Sequence, residues 1–152
     1  MSEKFKPCYV YLICTDLGND DLEGPCKIGI TDAPDSRLKQ VQTGSPKRLV
    51  IAFDFRVWDR KFARRIEASF HAGFGDYRLN GEWFDLHPID ALRGLVDVFK
   101  MGLDRVFEGE PNAAELLQST AEACNLMDAA RLLHQYYEAR GELTTQTKGP
   151  VH

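Results

Sequence analysis

The 152-residue sequence predicts an α/β (α+β) domain, a small antiparallel three-stranded sheet flanked by helices, with a helical C-terminal extension. Two observations carry this. Three short stretches, Tyr9–Ile13, Lys27–Thr31 and Leu49–Val57, are β-branched, aromatic or alternating in character. Between and after them run segments whose apolar residues recur at helical spacing, punctuated by proline, glycine and capping residues.

The first two strands are joined by Asp16, Gly18, Asn19, Asp20, Asp21, Gly24 and Pro25, which is turn chemistry, so an antiparallel hairpin with a long loop is expected. Alternate strand residues share a face. Tyr9, Tyr11 and Ile13 form one set, and Lys27, Gly29 and Thr31 another. Where these two faces coincide, Tyr11 approaches Lys27 beside a glycine, and Val10, Leu12, Ile28 and Ile30 turn toward packing.

Pro34 after Ala33 marks a helix start, and Gly44 with Pro46 marks its end. Arg37 lies in the first turns of that helix. In the third strand Leu49, Ile51, Phe53, Phe55 and Val57 alternate with Val50, Ala52, Asp54 and Arg56, so a half-buried strand is expected. Asp59 can cap the next helix, where Phe62, Ile66 and Phe70 form the apolar stripe. Arg60, Arg64, Glu67 and His71 share another face, which places Glu67 among cations and away from the core. Trp83 and Phe84 read as core.

The first domain is expected over residues 7–86 and the helical extension over 87–140, with a frayed tail at 141–152. His87-Pro88 opens a helix with Leu92, Leu95, Val96 and Phe99 apolar, and Gly109-Glu110-Pro111 breaks it. Asn112 with Glu115 resembles a capping box for a final helix running to about Arg140. The apolar residues of this extension fit a helix pair or a homo-oligomer interface.

The formal net charge of −4 conceals an uneven distribution. Residues 37–65 hold nine basic side chains against Asp54 and Asp59. Such a segment can bind phosphates inside an acidic protein. Its side chains include Lys39, Lys47, Arg48, Arg60, Lys61 and Arg64, the candidate nucleic-acid contacts. No apolar run approaches the ~20 residues of a membrane span, so no membrane partner is expected. Residues 1–7 lack the apolar core of a signal peptide, so a cytoplasmic, reducing location is expected. Cys8, Cys14, Cys26 and Cys124 form no CxxC pair and no zinc spacing, and read as reduced thiols.

Tyr9-Val10-Tyr11-Leu12-Ile13, then Lys27-Ile28-Gly29-Ile30-Thr31, then Arg37, Glu67 and Gly81-Glu82-Trp83-Phe84 occur in an order that resembles the GIY-YIG nuclease superfamily. The likeness is to its branch of phage and fungal open reading frames, with a KIGIT-like second motif and a terminal Gly-Glu-Trp-Phe. It covers roughly residues 7–86. The resemblance implies a metal-dependent DNA endonuclease that uses Mg²⁺ or Mn²⁺ and grips the phosphate backbone of DNA. It implies catalytic roles for Tyr11, Arg37 and Glu67, with Glu67 as metal ligand. Glu82 is a mark of the branch that anchors a loop.

These roles suit the residue types. One carboxylate can hold Mg²⁺ whose other ligands are waters. An arginine fork matches phosphate oxygens. Tyr11 can orient or deprotonate water, and Lys27 beside it is expected to lower its pKa by favouring the tyrosinate. Tyr9, Gly29 and His71 are accessory candidates.

The chain departs from the pattern in three ways: Tyr-Val-Tyr replaces Gly-Ile-Tyr, Lys27 stands where the superfamily name has tyrosine, and Val41 stands one turn after Arg37 where histidine or tyrosine is frequent. Asn80 is the nearest counterpart of a late asparagine. Taken singly, each residue also suits an ordinary structural role. Two further readings therefore stand beside the nuclease: a nucleic-acid-binding module with a decayed site, and an interaction or regulatory protein using the C-terminal helices.

Overall fold

In the computed structural model, which describes residues 7–141, the backbone is of the α+β class. Strands Cys8–Gly18 (β1) and Asp21–Thr31 (β2) pair antiparallel almost to their tips. The long loop expected between them is replaced by a turn at Asn19 and Asp20. Both are left-handed, with φ of 55° and 65°. That is the twist-matched geometry of a two-residue hairpin, which asparagine and aspartate tolerate.

Helix Pro34–Thr43 (α1) and strand Leu49–Val57 (β3) follow, and β3 pairs with the other side of β1. Two short strands, Arg78–Asn80 (β4) and Trp83–Phe84 (β5), extend the sheet beyond β2. The sheet therefore has five strands in the order β3-β1-β2-β5-β4, not three. Strands of three and two residues are too short for alternation to reveal them. Gly81, with φ of 57°, turns β4 back into β5.

The third strand also differs from its expected pattern. Opposite Leu12 and Ile13 it carries an irregularity, where Leu12 pairs with Phe53 and Ile13 with Ile51. The extra residue, Ala52, shifts the side-chain phase. Leu49 and Ile51 consequently face one side of the sheet with Tyr11 and Ile13. Phe53, Phe55 and Val57 face the other with Val10 and Leu12.

Helix Arg60–Gly73 (α2) is capped by Asp59, whose Oδ1 accepts from the Lys61 amide at 3.1 Å. Phe62, Ile66 and Phe70 join the main core, as their spacing predicts. A single 3₁₀ turn at Gly75–Tyr77 leads into β4. Helix Pro88–Val106 (α3) adds Leu92, Leu95, Val96, Phe99 and Leu103 to the same core as the sheet. Its first turn is closed by His87 Nδ1, which accepts from the Ile89 amide at 3.1 Å.

The region after Asn112 forms two helices, Ala113–Ala123 (α4) and Leu126–Ala139 (α5), rather than one. Asn125 breaks them with a left-handed φ of 68°, and its side-chain amide donates to the Asp54 carbonyl at 3.4 Å. Asn112 makes no side-chain cap bond. Apart from Gly141, the expected tail lies outside the described residues. Among the described residues no helix is long and apolar enough to cross a membrane.

Phe99 is completely buried and its ring meets those of Phe55 and Phe62, with centroids 4.6 and 6.0 Å away. Truncation to alanine leaves a cavity between helix and sheet. Phe99→Ala is expected to cost about 3–5 kcal/mol, read as a lower midpoint in urea denaturation.

Candidate functional site

The site face of the sheet is the one that α1 half covers. Leu38 and Val41 of α1 pack with Tyr11, Ile13, Leu49, Ile51 and Trp83 in a second, smaller cluster. Tyr11 stands opposite Gly29 on one neighbour and Asp54 on the other. Its side chain is almost entirely buried, yet its hydroxyl is partnered twice. Arg37 Nε donates to Tyr11 Oη at 3.2 Å, and Tyr11 Oη donates to Glu82 Oε1 at 3.4 Å. Arg37 also donates through Nη1 to Gln40 Oε1 at 3.0 Å, which fixes its fork along the helix.

Gly29 makes this arrangement possible. A Cβ built there falls 2.5 Å from Tyr11 Oη and 2.6 Å from Glu82 Oε1. Any side chain at 29 would drive both groups away, so the glycine serves close approach. Lys27, two residues back on the same face, does not hold Tyr11. Its Nζ lies 3.3 Å from Glu82 Oε1 and 5.6 Å from the Trp83 ring centroid. The expected lowering of the Tyr11 pKa is therefore absent. Burial pushes the phenol above its ordinary value, and the hydrogen bond from Arg37 only partly opposes that.

Helix α2 reaches this face because of how it meets the edge of β2. Strand β5 pairs with β2 only at Cys26 and Lys27. At Ile28 the amide donates to the Glu82 carbonyl at 3.0 Å, and the carbonyl accepts from His71 Nε2 at 3.1 Å. A carbonyl only accepts, so His71 carries its proton on Nε2. This accessory candidate thus ties α2 to the sheet. One turn earlier, Glu67 meets the carboxyl of Glu82. Burial, the hydrogen bond with Glu82 and the charge of Glu82 push Glu67 up to about 7, with Lys27 and Arg64 opposing. Glu67 is thus half-buried against a carboxyl, not only set among cations as its helical face implied.

Tyr9 shares the Tyr11 face and pairs with Thr31 and Arg56. The six candidate nucleic-acid contacts, Lys39, Lys47, Arg48, Arg60, Lys61 and Arg64, are all exposed, but not alike. Lys47 pairs with Glu23 at 3.4 Å and Arg48 with Asp16 at 3.5 Å, toward the hairpin tip. Arg60 sits at the other end of β1, with Nη1 3.8 Å from Cys8 Sγ.

Two acidic residues of this face were given no place in the site by the sequence, Glu82 being read as a loop anchor and Asp54 as a strand residue. Glu82 sits at the centre of the cluster; the signal was an acid beside a glycine at the sheet edge, near a lysine lacking an evident partner. Asp54, opposite Tyr11, is held above its ordinary pKa by burial and by Asp35. Its signal was a charged residue on an otherwise apolar strand.

The family model of the T5orf172 domain matches residues 8–100, and the chain belongs to that family. The domain is found in nuclease-like proteins of phages and bacteria. No curated protein and no solved structure matches the chain.

The Glu67 shift has a sign that can be measured. Between its ordinary value of 4.5 and about 7, the folded chain holds a proton that the unfolded chain has lost. Stability therefore falls as pH rises through that window. In EDTA, Glu67→Gln is expected to raise Tm at pH 8 and to leave it unchanged at pH 4, by calorimetry at both values.

Proposed function

We propose that this protein is a metal-dependent DNA endonuclease of the GIY-YIG kind. The observation that carries the reading is the Tyr11 hydroxyl, bonded by Arg37 and Glu82, with the Glu67 carboxyl against Glu82. Residues from a strand, two helices and a turn meet at one place, and three of them are those the sequence resemblance implied.

The fit of a divalent cation rests on the Glu67–Glu82 contact. Two carboxyl groups held side by side repel when both ionise, and a cation relieves that repulsion. Mg²⁺ takes one or two protein carboxylates and keeps several waters, so Glu67 would hold it with Glu82 close by. When bound, the ion supplies charge neutralisation at the phosphoryl oxygens and lowers the pKa of water.

The rest is done by the chain. Arg37 presents a permanent charge to the phosphate. Tyr11 orients the attacking water through a hydroxyl that packing holds in place. Lys27 fixes Glu82 and balances its charge. The exposed cations Lys39, Arg60, Lys61 and Arg64 attract the DNA backbone, so binding weakens with salt. Ionised Glu67 is the form that binds metal, so metal affinity weakens as pH falls and protons compete for that carboxylate.

Val41 gives the second reading a specific support. It packs into the apolar cluster beside Tyr11 and supplies no polar group there. DNA binding without cleavage in any metal is the outcome of that reading, a binding module on the same fold.

The test is nicking of supercoiled plasmid and cutting of a branched oligonucleotide in Mg²⁺, Mn²⁺ or EDTA. Arg37→Ala and Glu67→Ala are each expected to slow metal-dependent cleavage about 100-fold or more. Lys47→Ala and Arg48→Ala, whose charges are already paired, are expected to weaken DNA binding less than Arg60→Ala and Arg64→Ala. Wild-type rates in Arg37→Ala and Glu67→Ala would remove this site from the reaction.

A further inference from the structure

We propose that Tyr9 and Arg56 form a binding site for an unpaired nucleotide beside the scissile phosphate, so that the substrate is DNA with a single-stranded or branched segment at the cut. This deepens the nuclease reading and rests on it.

Strand register places the two residues together. Tyr9 lies between Thr31 on β2 and Arg56 on β3, as Tyr11 lies between Gly29 and Asp54. Both tyrosines are on the site face, two residues apart, which is about 7 Å along a strand. Their surroundings differ. Tyr11 is almost entirely buried, packed by its cluster and bonded by Arg37 and Glu82. Tyr9 is only half-buried and belongs to neither apolar cluster. Among the described residues, its side chain has no hydrogen bond, ring contact or cation over its face. Arg56 is exposed, and among the described residues its guanidinium has no hydrogen bond or ion pair. The row next to Tyr11 thus holds an aromatic ring and a guanidinium side by side, neither of them used by the fold. Thr31 completes the row, with its Oγ1 accepting from the Ala33 amide at 3.1 Å.

A ring and a guanidinium on an open sheet suit a nucleotide. The ring stacks on the base, and the fork takes the phosphate. Further cations lie at the same end of the sheet. Burial and Asp32 push the Cys8 thiol up, while Arg60 and Arg64 oppose them, so both cations are close to the residue before Tyr9. The charge of Arg64 also acts on Glu67. Positive charge therefore connects the candidate metal ligand with the Tyr9 row, as a groove that follows a strand requires.

Stacking selects the kind of DNA. In a duplex each base is covered on both faces by neighbours about 3.4 Å away. A ring held on a sheet finds no base face there. It finds one where a base has left the stack, at a flap, a branch or a single strand. The Tyr9 ring is also what distinguishes the start of Tyr-Val-Tyr from that of Gly-Ile-Tyr, since a glycine there would leave Arg56 with no ring beside it.

The experiment uses the full chain and two oligonucleotides of one sequence, a continuous duplex and a duplex with a single-stranded flap. The base at the branch, and its equivalent in the duplex, is 2-aminopurine. Single-turnover cleavage is read in Mn²⁺, and 2-aminopurine fluorescence on binding is read in EDTA. Wild type is expected to cut the flap substrate faster than the duplex and to quench the flap base. Tyr9→Leu is expected to cut the flap substrate about 10- to 100-fold more slowly, to lose its preference for it, and to lose the quenching. Tyr9→Phe keeps the ring and is expected to keep both. Arg56→Gln is expected to weaken flap binding and to lower its salt dependence by about one phosphate. Flap cleavage and quenching by Tyr9→Leu at wild-type levels overturn the nucleotide site and leave the nuclease reading intact. A slowing of Tyr9→Leu that is equal on flap and duplex also overturns it, since Tyr9 would then touch only what the two substrates share. A wild type that quenches the flap base and cuts neither substrate overturns the nuclease reading and supports the nucleotide site. A wild type that does neither overturns both.

Discussion

A buried tyrosine hydroxyl organises this protein. The Tyr11 ring belongs to an apolar cluster with Ile13 and Leu49, and only its oxygen must find polar partners. An unpartnered buried hydroxyl costs about 1–3 kcal/mol. The chain avoids that cost with groups 26 and 71 residues away, Arg37 and Glu82. Packing the small cluster and assembling the polar site are therefore one event. Gly29 is the condition on both, since a side chain there would displace the Tyr11 hydroxyl and the Glu82 carboxylate together.

The two faces of the sheet divide the work. One face packs on α2, α3 and α5 through a continuous apolar core and carries most of the burial. The other is covered by α1 over only part of its length and carries the polar groups. Helix α2 serves both, because it packs across β1, β2 and β3 on the core face while its His71 and Glu67 reach β2 where β5 no longer pairs with it. Its apolar stripe enters the core, His71 bonds the Ile28 carbonyl, and Glu67 reaches the site face. The core thus sets the position of Glu67, and that position raises its pKa.

Much of this was legible in the sequence. Strict alternation put Tyr11, Lys27 and Gly29 on one face. Proline and glycine bounded α1 around Arg37, and a spacing of four separated the core stripe of α2 from Glu67. What escaped was set by tertiary context. Strands β4 and β5 are held by pairing to β2, too short to show a period of their own. The phase change at Ala52 comes from an extra residue relative to β1, which β3 alone does not reveal. Lys27 was placed beside Tyr11 by spacing, but the acid that captures it arrives from 55 residues later. Glu82 was therefore read as an anchor when its backbone is the anchor and its side chain belongs to the site.

The most direct test is Mg²⁺-dependent cleavage of supercoiled plasmid by wild type and by Tyr11→Phe. The substitution keeps the ring in its cluster and removes only the oxygen that Arg37 and Glu82 share. Wild type is expected to nick the plasmid, and Tyr11→Phe to remain folded and bind DNA while cutting about 100-fold more slowly or worse. A folded Tyr11→Phe that cuts at the wild-type rate would contradict the assignment of this hydroxyl to the chemistry.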